Sequence, residues 1–309
     1  MARYMMKRIR VGFASLFVLI TVTFFLTRMM PGSPFQSGGV SVQVVAALEQ
    51  EYGLNEPVLS QYCLYLLKLL HGDLGISFRK PGVAVVDVII RAWPVTVSIG
   101  VLAVLFSLCV GTMLGIWQAV TGHRLVRSSI FIGTILGTAI PNFVFALVLA
   151  LVLGQKWKLL PIVGLSTASH YILPVLSLAA YPTAVVTRLT QNAFSEEMEK
   201  EYVVMARAKG LSRKRTALFH VLVNAWVPVL NYMGPTTAFL ITGSFAVENI
   251  FTISGLGREF VLSIGNRDYT MIMGLTIFMG MVVIMINMLT DLLCAALSPQ
   301  IRRGSGNLQ

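Results

Sequence analysis

Four histidines (His71, His123, His170 and His220) and three cysteines (Cys63, Cys109 and Cys294) have the widest chemical repertoire in this sequence, and their spacing limits what they can do. No HExxH pair places two imidazoles on one helix face for a zinc ion, and no GxxxxGK[ST] loop cradles a nucleotide phosphate. The histidines fall in loops or at the ends of apolar runs, which suits structural or solvated roles. The cysteines are too scattered for a disulfide framework or a metal site. Between residues 95 and 290, no Asp, Glu, Lys or Arg falls near the middle of an apolar run. A proton-driven carrier usually needs an ionisable group at that depth, and a membrane enzyme needs a nucleophile with its base. The expectation is no catalytic residue, no metal site and no cofactor in this chain.

The stretch EYVVMARAKGLSRKRTALFHVLVNAWVP, residues 201 to 228, offers a different chemistry, that of recognition. Ser195 is a suitable N-cap; Glu196, Glu197 and Glu199 favour the positive end of a helix dipole; Lys209 suits the last turn and Gly210 the position after it. The pattern predicts a separate helix over 196–209. Val203, Ala206 and Gly210 then fall along one side, small enough for another protein's surface to come close. Ser212 restarts a helix that runs through RKRTALFHVLVNAWV to Pro228. Two readings stand side by side: a basic helix on anionic headgroups, or a connector that passes a push from a cytoplasmic protein to membrane helices. The acids at 196, 197, 199 and 201 weaken the first, because such lipids would repel them.

The elements that must position this stretch are membrane helices. The chain of 309 residues is 56% hydrophobic and 12% charged, with a mean hydropathy of +0.77. Six runs reach the roughly 20 apolar residues that a bilayer core needs: 9–30, 95–121, 128–154, 171–190, 227–248 and 270–297. Short alternating strands are not what the sequence shows, so the fold class is an all-α membrane bundle rather than a barrel. MARYMMKRIR is a basic flank without a small-residue cleavage site after it, which makes the first run a retained helix with its N-terminus in the cytoplasm. With six spans, the inside segments then hold 15 of the 24 Lys and Arg, and the outside segments eight of the 13 acids. That asymmetry follows the positive-inside rule and puts both termini in the cytoplasm. It also accounts for the net charge of +11 without nucleic acid.

The outside segment from Pro31 to Trp93 is too long for a turn. Ser41 can cap a short helix that Gly53 ends, and Asn55, Glu56 and Pro57 open a second with Leu59, Tyr62, Leu66 and Leu69 on one face. That stripe is covered by the membrane surface, by the tops of other helices or by an extracytoplasmic partner. GDLG at 72–75 and RKPG at 79–82 supply turns. Gly133, Gly137, Pro141 and Asn142 in the third run, and Pro174 and Pro182 in the fourth, suit close helix approach and rearrangement, with Asn142 a candidate for pathway lining.

At these residues the sequence resembles the integral membrane subunits of binding-protein-dependent ABC importers, in their dipeptide, oligopeptide and nickel branch, the DppB and OppB type. Residues 201–228 are similar to the branch's cytoplasmic loop: Tyr202, Ala206, Arg207, Ala208, Lys209, Gly210, Leu211, His220, Asn224, Ala225 and Pro228 all match. Of the broader E-A-A triplet, whose positions here are Val204, Met205 and Ala206, only the last agrees. MMPGSPF (29–35), YGLNEPVLSQY (52–62), GDLGISF (72–78), RAWPVTVSIG (91–100) and VENIFTISGLGREFVLSIGNRDY (247–269) resemble further markers, with Ser254 and Thr270 where the family commonly has proline.

The resemblance implies a six-transmembrane-helix, type I, MetI-like permease. Its divisions would be residues 1–30 as cytoplasmic N-terminus and first helix, 31–93 as an extracytoplasmic helical segment, 94–300 as a five-helix core with a coupling loop at 188–226, and 301–309 as a tail. It implies import of di- or oligopeptides, with nickel or other metal chelates, glutathione and opines as alternatives. The partners implied are a homologous second permease of the DppC or OppC type, two ATPases that bind ATP and Mg, an extracytoplasmic substrate-binding protein and membrane lipid. The membrane would be the cytoplasmic membrane of a bacterium or archaeon. Coupling to the ATPase falls on Tyr202, Val203, Ala206, Arg207, Ala208, Lys209, Gly210, Leu211 and Ser212. An ATP-independent secondary carrier is the alternative from another class, opposed by the missing midplane charges and the connector loop.

Overall fold

The computed structural model describes residues 2–30, 35, 43, 49–50 and 53–297, except for the side chains of 2–5 and 293–297. The helix expected from Ser41 and the tail at 301–309 lie outside the described residues, although Gly53 has the left-handed φ of +65° expected of a helix end. Five helices are long and apolar enough to cross a membrane, and a sixth span is supplied if one sharply bent pair is counted as one. The chain divides into two compact units, one of Thr96–Ile253 with residues from Val283 onward and one of Ala2–Val95 with Ser254–Val282.

Helix α1 (Ala2–Met29), α2 (Val58–Leu70), the first turns of α3 (Val85–Val120), α11 (Leu256–Asn266) and the start of α12 (Tyr269–Leu297) belong to the second unit. Its core is Val85, Val88, Ile89 and Ala92 of α3 against Leu256, Met271 and Leu275. Helix α3 begins well before the apolar run expected at 95, because Asp87 and Arg91 lower the hydropathy without breaking the helix. Helix α2 packs on α1 through its tyrosines: Tyr62 and Tyr65 lie on Phe24 at 5.2 and 5.8 Å between ring centroids, and the hydroxyls of Thr21 and Tyr62 are 2.6 Å apart, although no residue of α2 is fully buried. Leu59, expected on that face, is instead 67% exposed.

The turns at 72–84 are closed by one carboxylate. Asp268 is buried, accepts from Ser77 Oγ and from the backbone N–H of Phe78 at 3.1 Å, and caps α12 through Met271 N–H at 3.2 Å. Gly75 must be glycine for two reasons: its φ is +86°, and a Cβ there would stand 2.6 Å from Thr270 Cγ2. Thr270 lies in the first turn of α12, where proline is also tolerated, so threonine in place of the family's proline leaves the helix start unaltered.

The other unit is built around α6 (Ala168–Met198), packed by α4 (Arg124–Ala139), α5 (Asn142–Leu149) and α9 (Leu222–Thr242). Two polar residues on the buried face of α6 bond within their own helix: Ser177 Oγ donates to Leu173 O and Thr187 Oγ1 to Thr183 O, each at 2.7 Å. Close approach depends on Gly111 and Gly137, where a Cβ would fall 2.8 Å from Val186 and from Ala184. Trp226 Nε1 donates to Thr112 Oγ1 at 3.1 Å, and Thr96 Oγ1 to the buried Glu248 at 3.0 Å.

Two expected spans contain a break. The run at 128–154 is α4 and α5 with its π-helical continuation Ala150–Lys156, bent by 108°. Pro141 has no N–H and holds Ile140 extended at φ −87° and ψ 122°, which ends α4. The run at 227–248 lies within one candidate span, Arg213–Ile250, in which Gly243 (φ +107°) separates α9 from the short α10 (Phe245–Ile250).

Candidate functional site

The site is the chain from the end of α6 to the start of α9. Helix α6 runs on to Met198, with Glu199 as its C-cap, so Ser195, Glu196 and Glu197 complete a long helix and do not open the next. The separate helix is shorter than the 196–209 expected: α7, Glu201–Ala208, with Lys200 extended at its N-cap (φ −71°, ψ 148°). Ser195 failed as a cap because the apolar period of α6 carries through it; Phe194 is still buried.

The other end agrees with the expectation. Lys209 is the C-cap, and Gly210 has φ +85° with its N–H on Arg207 O at 2.9 Å, while Leu211 N–H reaches Ala206 O at 3.2 Å. A Cβ on Gly210 would meet nothing within 4 Å, so the requirement for glycine is conformational and not steric. Ser212 then caps α8 (Arg213–Thr216), its Oγ accepting from Arg215 N–H at 3.3 Å. A π-turn at Ala217–Val221 leads into α9.

One face of α7 is pinned. Val203 is 1% exposed and lies in a cluster with Phe194 of α6, Val221 and Ala225. Tyr202 Oη donates to Glu197 Oε2 at 2.6 Å and accepts from Asn224 Nδ2 at 3.3 Å, which joins α7 to α6 and α9. Burial, and next the bond to Glu197, raise the Tyr202 phenol above its ordinary pKa, so it stays a donor. Lys200 bonds the same Glu197 carboxylate and its ammonium is held charged by that bond.

The opposite face is bare. Val204 and Met205 are 65% and 57% exposed, and Arg207, Ala208, Lys209, Gly210 and Ser212 are exposed beside them, with Ala206 and Leu211 half-buried. Arg213, Lys214 and Arg215 extend the positive rim. This arrangement makes and breaks no bonds; it presents a small apolar knob ringed by cations, suited to an apolar groove edged by acids. The small-residue side expected of Val203, Ala206 and Gly210 is revised accordingly, since Val203 points inward and Val204 and Met205 point out. Asn142 lies elsewhere in this unit, half-buried as the first residue of α5 at the 108° bend. Among the described residues no group of three His, Cys, Asp or Glu could hold a metal ion.

Sequence reasoning missed the pinning by Tyr202, Glu197 and Asn224 and the closure by Asp268. Asp268 was open to discovery: an Asp just before the apolar run at 270 is an N-cap signal. The first pairing joins residues on three helices and has no local signal.

Residues 111–303 match the family of binding-protein-dependent transport system inner membrane components, and residues 1–100 match the N-terminal family of the same membrane component. A dipeptide transport system permease protein DppB of Bacillus subtilis is 37% identical over 303 residues, 98% of both chains. An oligopeptide transport system permease protein OppB of Haemophilus influenzae is 38% identical over 305 residues, 98% of this chain and all of that one. Among solved structures, an inward-facing conformation of the MetNI methionine ABC transporter superposes with a TM-score of 0.56 at 17% identity, over 69% of this chain and 97% of that one, a likeness of fold.

Proposed function

We propose that this chain, which belongs to the family of binding-protein-dependent transport system inner membrane components, carries di- or oligopeptides into the cell. Membership makes it a multi-pass inner membrane permease subunit that works with an ATPase and a binding protein. The peptide reading rests on the relatives that align end to end with it, whose names specify dipeptide and oligopeptide transport.

The observation that carries the mechanism is the two-sidedness of α7. Its outer face, from Val204 and Met205 to Lys209, docks on one of two cytoplasmic ATPases, with Arg207 and Lys209 meeting acids there. Its inner face is fastened to α6 through Glu197 and Phe194 and to α9 through Asn224 and Ala225. A displacement of α7 therefore moves two membrane helices rather than a loose loop. Closure of the ATPase pair on ATP swings the spans from inward-facing to outward-facing. A homologous second permease supplies the other half of the pathway and the other ATPase contact. In this arrangement both termini and residues 188–226 are cytoplasmic, and residues 31–93 face outward to receive the binding protein.

The test is purification from the native membrane in mild detergent. A second permease and P-loop ATPases should copurify with this chain and hydrolyse ATP. Val204→Asp should release the ATPases while the two permeases stay together. A chain that emerges alone and still transports in liposomes would replace this reading with a secondary carrier.

A further inference from the structure

In the unit formed by Ala2–Val95 and Ser254–Val282, the last turns of α1, helix α2 and the turn after it enclose a cavity of about 430 Å³. Its walls are amphipathic. Phe24 is fully buried and stacks on Tyr65, and the Arg28 guanidinium lies over the rings of Phe24 and Tyr269 at 5.2 and 5.8 Å. Three polar atoms of its lining residues are buried with no hydrogen-bond partner among the described residues: Arg28 Nε, Tyr65 Oη and Gln61 Oε1. Gln61 Nε2 donates to Leu54 O at 3.0 Å and Glu56 O at 2.8 Å, which fixes the amide with its oxygen as the unused atom. Burial also pushes the Tyr65 phenol well above its ordinary pKa, so its hydroxyl keeps its proton to donate. Buried groups of this kind are destabilising unless something binds them. Arg28 and Tyr65 both lie against the Phe24 ring, Gln61 is one helical turn from Tyr65, and Glu56, Lys68 and Asp73 also line the cavity, a mixed-charge wall that suits a ligand with an anion at one end and a hydrogen-bonding cation at the other.

We propose that the cavity binds the headgroup of an ethanolamine phospholipid, its phosphate accepting from Arg28 Nε and Tyr65 Oη and its ammonium donating to Gln61 Oε1. A free peptide zwitterion carries the same pair of charges, but the position of the cavity favours the lipid. Arg28 lies in the last turn of the first candidate span, Met6–Met29, at headgroup depth. On the same helix Val22, Phe25 and Leu26 are exposed, an apolar track for an acyl chain.

The experiment takes the intact transporter complex, reconstituted in nanodiscs of phosphatidylethanolamine with phosphatidylglycerol or of phosphatidylcholine with phosphatidylglycerol, and counts retained lipid by native mass spectrometry. The wild type should retain the ethanolamine lipid in preference to the choline lipid, whose trimethylammonium has no N–H to donate. Tyr65→Phe, which removes one hydroxyl, should lower that retention about three- to tenfold. Its melting temperature should fall further in ethanolamine nanodiscs, where the lipid is held at both ends, than in choline nanodiscs. Equal retention of the two lipids by the wild type, a measurement that needs no variant, overturns the proposal. So does unchanged retention by Tyr65→Phe, and displacement of the lipid by a free dipeptide would assign the cavity to the peptide instead.

Discussion

The turns at 72–84 with 256–270 and the loop at 198–216 are made of the same parts, short helices joined through left-handed residues, yet they are wired in opposite ways. In the first, the polar groups turn inward: Asp268 holds Ser77, Phe78 and Met271, Arg79 Nε reaches Asn266 O at 2.6 Å, and Lys80 pairs with Glu259 at 2.8 Å. In the second, the polar and apolar anchors occupy one side of α7, and Val204 and Met205 stand exposed on the other. A region closed on itself serves as a fixed frame, whereas a region anchored on one face can take a load on the other.

The sharpest way to break that contrast is Asp268→Ala. It strands three donors, one of them the cap of α12, and should destabilise the protein by about 3 kcal/mol, seen as a lower melting temperature in detergent. If the melting temperature holds, the frame is not closed by that carboxylate. Gly210→Val forces a β-branched residue to φ +85° at a strain of about 1–3 kcal/mol. Because the corner sets the angle of α7, ATP hydrolysis should continue while uptake falls at least about tenfold, with the chain still in the membrane; normal uptake would count against α7 as the connector. Val203→Ala should cost about 2 kcal/mol and loosen α7 from its cluster, read as lower uptake per ATP hydrolysed. Tyr202→Phe, losing only the hydroxyl between Glu197 and Asn224, should cost about 1 kcal/mol and reproduce that loss more weakly. The smallest effect is a gain: Arg267, at φ +57° at the end of α11, becomes less strained as Arg267→Gly, which should stabilise the frame by up to about 1 kcal/mol and leave coupling unaltered.

Much of this was legible in the sequence because helices in membranes follow composition and backbone chemistry. Gly210 and Ser212 showed the corner and the restart of the helix, since a left-handed residue and a side-chain cap are local requirements. Pro141 showed that something happens in the third run, but not a 108° bend, because the angle is set by what α5 packs against. Glu196 and Glu197 misled for a physical reason: acids favour a helix start, yet Lys200 neutralises them from the next turn, with Glu196 at 3.7 Å, which lets them sit at a helix end. The outward turn of Val204 and Met205 was hidden, as a helix of eight residues has too few turns for periodicity to tell its buried face from its exposed one.

The π-turn at Ala217–Val221 carries a consequence of its own. Its hydrogen bonds span one residue more than those of an α-helix, and one inserted residue shifts the phase of everything on one side by about 100° relative to the other. The basic segment Arg213–Arg215 and the anchor at Ala225 are thus set in a relation that a regular helix of the same sequence would not have. Deleting one residue from that turn would leave the composition almost untouched and the helix more regular. It would also turn α7 around the axis of α9, so that the machine kept both its parts and lost the timing between them.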